Sequence, residues 1–108
     1  MHSAYAYTMK NLSSQSVTFR TLQAFADARQ LVKDAQFQEF LLADLKLPSE
    51  ILAQRKVIAD AYECAAQATQ DVLTNLELLS CPDTAARKQV ELQRLHEKAS
   101  SFRAEARR

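Results

Sequence analysis

The sequence contains no glycine and only two prolines, Pro48 and Pro82, in 108 residues. Glycine is what positive-φ turns and phosphate-cradling loops depend on. Its absence argues against a P-loop and against a β-rich fold built on tight hairpins. Cysteine is also scarce. Cys64 and Cys81 are too few for a disulfide framework, and free thiols in a cytoplasmic protein are expected. Charge of one sign is missing as well: the formal net charge is +1, so no gross field draws the chain to nucleic acid or to a membrane surface. No apolar run approaches the roughly 18 residues that span a bilayer. Residues 1–10 lack the basic stretch and apolar stretch of a secretory leader. No membrane partner is expected.

What is present is helix-forming material. Hydrophobic residues make up 47% and charged residues 25%, ordinary globular proportions. Ala, Leu, Gln, Glu, Lys and Arg dominate, and all are good helix formers. Residues 1–15 carry few helix signals. Tyr5, Tyr7 and Met9 alternate with small residues, so this stretch reads as a flexible N-terminal arm, with a short hairpin against Val17 and Phe19 as the alternative. Residues 16–108 read as a single helical domain.

The first helix is expected from about Thr18, capped by Ser16 or Thr18. Leu22, Phe25, Ala28, Val32 and Ala35 fall on one helical stripe. The stripe then changes phase to Phe37, Phe40, Leu41 and Leu45. That shift predicts a kink or break near Asp34–Gln36, and so one kinked helix or two, about 18–34 and 36–46. Pro48 and Glu50 suit the opening of the next helix, which runs to about Leu79. Ile51, Ile58, Ala65, Val72 and Leu79 recur every seven residues, with Tyr62, Thr69 and Leu76 four residues after three of them. This is an a/d seam interrupted only by Arg55. The helix is roughly 45 Å long at about 1.5 Å per residue. After Ser80–Asp83, a last helix carries Leu92, Leu95, Ala99, Phe102 and Ala106 on one stripe. The fold class that follows is all-α, a three- to four-helix antiparallel bundle built on a long helical hairpin, about 49–79 and 84–106.

Charge divides between the two arms of the hairpin. Arg55 and Lys56 stand against six acidic residues between Ser49 and Asp83, whereas seven basic residues stand against three acidic ones from Thr84 onward. Antiparallel neighbours with opposite balances favour each other over wrong pairings.

Residues that could carry chemistry are few. His2 and His96 have no ligand at a metal-site spacing, so no metal site is expected. Cys64 has acidic or apolar neighbours and reads as a packed thiol rather than a nucleophile; Cys81, in a loop, reads as the more exposed. Asp60 and Glu63 share a helical face, as a paired-carboxylate site would require, but the face continues through Gln67, Gln70 and Asp71 as a solvated surface. With no nucleophile–base pair and no cofactor loop, no catalytic residue and no cofactor can be named, and no enzyme is expected.

The function expected is non-enzymatic protein–protein interaction, as a helical adaptor, chaperone or regulator. A 45 Å helix that outruns a first segment folded in two leaves apolar seam exposed, which invites a partner. The candidate interaction face is Ile51, Ile58, Tyr62, Ala65, Thr69, Val72 and Leu76. The partner is another protein or a second copy of the chain in a homodimer. The alternative is a nucleic-acid-associated regulator using a basic patch of Arg87, Lys88, Arg94 and Lys98, although no aromatic residue interleaves it as a stacking surface requires.

Overall fold

A computed structural model describes residues 2–107, with side chains from Val17 to Arg107. Among these residues the chain forms three α-helices, α1 (His2–Leu41), α2 (Pro48–Leu78) and α3 (Pro82–Ala106), and no strand. A short 3-10 turn, Leu42–Asp44, follows α1. The connections are too short to do anything but reverse the chain, so the helices run up, down and up. α2 lies in the middle and packs against both neighbours. The parallel outer helices, α1 and α3, never bring their backbones within 8 Å of each other among the described residues.

α1 departs from expectation. The backbone is already helical at His2 rather than starting near Thr18, while the arm expected over residues 1–15 falls on side chains outside the described residues. Ser16 and Thr18, which read as caps, fall inside the helix, as does a third hydroxyl residue, Thr21. Thr21 Oγ1 donates to the Val17 carbonyl at 2.6 Å, the back-bonding by which a helix accommodates such a residue. Nor does the helix break near Asp34–Gln36. No glycine or proline precedes Pro48, so nothing in the backbone chemistry forces a break. α1 ends instead in the 3-10 turn, and Leu45 and Leu47 are extended, at ψ 139° and 129°. The latter is the geometry a following proline imposes.

The core is asymmetric. α2 buries Ile58, Ala59, Tyr62, Ala65, Ala66, Thr69, Val72, Leu73 and Leu76. α3 presses Leu92, Leu95, Ala99 and Ala106 against it, and each fully buried leucine contributes about 1.5–3 kcal/mol. Among its described side chains, α1 buries only Thr21, Ala28 and Ala35. These three lie seven residues apart and make a small-residue seam that lets α1 approach α2 closely.

The α2–α3 turn solves a problem set by the missing glycine. Ser80 takes φ 56°, the left-handed geometry usually given to glycine after a helix. Its N–H donates to Glu77 and that of Cys81 to Leu76, both at 3.1 Å, the paired bonds of a Schellman motif. Cys81 is thereby turned inward beside Leu76 and Val72.

Candidate interaction surfaces

The seam of α2 is fully used within the chain. Ile58, Tyr62, Ala65, Thr69, Val72 and Leu76 are buried, and Ile51 is half-buried at the end of the bundle. The expected overhang does not arise, because α1 is one long helix rather than two short ones. It follows α2 from Gln38 beside Gln54, where Gln54 Nε2 donates to the Gln38 carbonyl at 2.8 Å, to Arg20 beside Asn75. Self-association through this seam thus loses the uncovered length on which it was argued. Arg55, the interruption in the seam, lies at its edge, with Nε 3.7 Å from a Glu105 carboxylate oxygen and no hydrogen bond to that nitrogen.

Among the described residues, large exposed apolar side chains stand singly at Leu47, Val57, Leu78 and Val90 and gather on α1. Phe19 is 69% exposed, Leu22 65%, Phe37 58% and Phe40 69%. The second pair repeats the first eighteen residues later, which is five full turns at 3.6 residues per turn. Both pairs therefore share one face, about 27 Å apart at 1.5 Å per residue. This face points away from the Thr21–Ala28–Ala35 seam. The phase change in the apolar stripe thus marks a second face of one helix rather than a kink, and it was the sequence signal for this surface.

α1 and α3 are joined by long side chains that cross over α2. The Tyr62 hydroxyl donates to Glu39 at 2.7 Å, and Lys98 Nζ donates to the other Glu39 oxygen at 2.8 Å. The Lys98 ammonium stands 5.7 Å from the centre of the Tyr62 ring, which stacks on Phe102 with centroids 6.2 Å apart. Burial pushes the Glu39 carboxyl upward, but the hydrogen bonds from Lys98 and Tyr62 and the Lys98 charge outweigh it and hold the group below its ordinary value. Burial first, then the Glu39 carboxylate, pushes the Tyr62 phenol upward.

The basic patch of α3 divides in two. Lys88 is drawn inward, 2.9 Å from Glu91 and 4.9 Å above the centre of the Phe25 ring, and Lys98 is held by Glu39. Among the described residues Arg87 donates to the Thr84 hydroxyl at 3.2 Å and has no ion-pair partner, and neither has Arg94. These two arginines border a groove between α1 and α3, made of two adjoining hollows of about 350 and 320 Å³ that share Val32, Gln36 and Glu91.

The remaining candidates take other places. Asp60 and Glu63 are not a carboxylate pair at work in solvent: Arg103 of α3 bridges them at 2.9 and 2.7 Å. This is one form of the charge complementarity expected between the hairpin arms. The cysteines are reversed relative to expectation. Cys64 is exposed and lines an open groove of about 790 Å³ between α1 and α2, whereas Cys81 is partly buried by the Schellman turn. His96 is exposed, His2 lies outside the described side chains, and no three potential metal ligands gather among the described residues. No described helix is long and apolar enough to cross a membrane. Comparison with known families, curated proteins and solved structures finds no match to this chain.

Proposed function

We propose that the chain is a non-enzymatic interaction protein that docks another protein along α1. The observation that carries this reading is the exposed repeat of Phe19 and Leu22 in Phe37 and Phe40. Single exposed apolar residues are ordinary. Two pairs on one face, in a chain whose own core is already closed, form a surface of the kind that partners cover. Regulation, scaffolding and chaperoning all fit such a surface.

Site-specific photo-crosslinking in the source cells tests it. A benzophenone side chain replacing Phe40 or Phe19 is expected to yield a protein adduct, and the same group at exposed Gln70 on α2 none. A nucleic-acid adduct would move the assignment to the basic-helix alternative. Absence of any adduct at Phe19 and Phe40 would remove the reading.

A further inference from the structure

We infer that the groove between α1 and α3 receives an acidic amphipathic helix of a partner protein, which completes a four-helix arrangement around the three helices of this chain. This rests on the reading of the chain as a protein-binding module and names the chemistry of what it binds.

Three observations converge on the groove. The first is its shape. α2 holds the two outer helices apart, leaving a trough over α2 between residues 25–36 of α1 and 87–98 of α3. A helix is the natural filler of a trough walled by parallel helices, because side-chain ridges interdigitate at 8–10 Å spacings, as a general rule of helix packing.

The second is its floor. Val32 of α1 and Leu95 of α3 line it with the Tyr62 ring, and Val90 stands on the lip, 61% exposed. An amphipathic helix presents apolar anchors at i, i+3, i+4 and i+7 to such a strip.

The third is charge. Arg29 and Lys33 stand on the α1 wall and Arg87 and Arg94 on the α3 wall. None of these four has a carboxylate partner among the described residues. Of the acidic groups nearby, Glu91 is engaged by Lys88 and Glu39 by Lys98 and Tyr62, while Glu97, beside Arg94, accepts from Gln93. Cations without counter-charges on both walls of an apolar trough are complementary to a helix with an apolar stripe and acidic flanks. They steer its approach and set its register. The apolar floor distinguishes this occupant from nucleic acid, whose phosphates need the cations but not Val32, Val90 and Leu95. The two rings in the groove are both engaged within the chain: Tyr62 is buried and tied to Glu39, and the Lys88 ammonium stands 4.9 Å above the Phe25 ring.

The test uses the full chain, labelled with nitrogen-15, and three probes. The first is a synthetic peptide of about 18 residues with a leucine stripe and glutamate flanks, the second its twin with lysines in place of the glutamates, and the third a duplex oligonucleotide. The glutamate peptide is expected to shift the amide resonances of Val32, Val90 and Leu95, and the lysine twin to bind at least about tenfold more weakly. Binding should weaken as salt rises. The Lys33→Glu, Arg94→Glu double variant and Val90→Asp alter exposed positions, so each is expected to keep the melting temperature while losing about tenfold in affinity. Equal binding of the two peptides, no shift with either, or tighter binding of the oligonucleotide at the same resonances would overturn the proposal. Shifts confined to Phe19 and Phe37 would also overturn the groove while leaving a protein-binding α1. An absent crosslink at Phe40 together with groove shifts would remove the α1 face alone.

Discussion

α1 and α3 pack on opposite flanks of α2, yet they divide their side chains in opposite ways. α3 turns Leu92 and Leu95 inward and leaves Val90 as its large exposed apolar residue. α1 turns Thr21, Ala28 and Ala35 inward and leaves two phenylalanine-containing pairs, Phe19 with Leu22 and Phe37 with Phe40, outside. Bulk in a core adds stability per residue, whereas small residues bring backbones together and free the opposite face. One helix is therefore a structural strut, and the other is held close to the body while its large apolar side chains face solvent. Size, not hydrophobicity alone, decides which side of each helix is the inside.

The comparison can be broken most severely at the centre. Val72→Asp puts a charge where the side chain is completely buried, at a cost of several kcal/mol. Against a total of about 5–15 kcal/mol, much of the population should unfold. Phe37→Asp, on the outer face of α1, should change stability by no more than about 0.5 kcal/mol. Urea denaturation of the two variants reads the contrast directly, and similar losses would mean that α1 is placed the wrong way round.

A smaller effect tests the seam itself. Ala35→Leu adds bulk where α1 and α2 are close, and overpacking should cost about 1–3 kcal/mol. Phe40→Ala removes a whole ring and should cost less than that insertion. A stabilising Ala35→Leu would show room in the seam that the burial of Ala35 denies.

Smaller again is the polar bridge over α2. Glu39 is held below its ordinary pKa, so its contribution is present above the unfolded carboxylate range and is lost as pH falls through that range. Glu39→Gln should lower stability at pH 7 by about 1 kcal/mol, discounted for the partial exposure of Glu39 and Lys98. The gap from the parent should close as pH falls from the ordinary carboxylate range through the lowered value of Glu39. A constant gap across an acid titration of the melting temperature would assign the loss to packing alone. The mildest change is Ser80→Gly, which removes the side-chain penalty of a positive φ and should raise stability by about 0.5–1 kcal/mol in the same assay.

Much of this fold is legible from the chain. The seven-residue repeat of α2 names the buried seam because large and β-branched residues, Ile58, Val72 and Leu76, stand among its positions. α1 is harder to read. Its core positions are small, and Thr21 carries a hydroxyl, so the apolar pattern points to Leu22 and Phe40, which face solvent. The change of phase at residue 37 is present in the sequence, but a kink and a second face produce the same signal in one dimension. The cysteines were read from their nearest neighbours in sequence. Cys64 is set by its angle on α2, one residue before Ala65, and Cys81 by a turn whose glycine-like residue is a serine. The groove has no sequence signal of its own, since its walls come from helices more than forty residues apart.

The up-down-up course of the three helices has an electrical consequence. Each helix carries about half a positive charge at its N-terminus and half a negative charge at its C-terminus. α2 cancels one of its two neighbours, and the other stays unbalanced. The bundle therefore keeps a net axial dipole, with its positive pole at the end where α3 begins at Pro82. A visiting helix that aligns with α2 cancels it, and one that aligns with α1 and α3 reinforces it. Of the two directions in which a segment could lie in the groove, the one that sets its C-terminus near Pro82 is favoured.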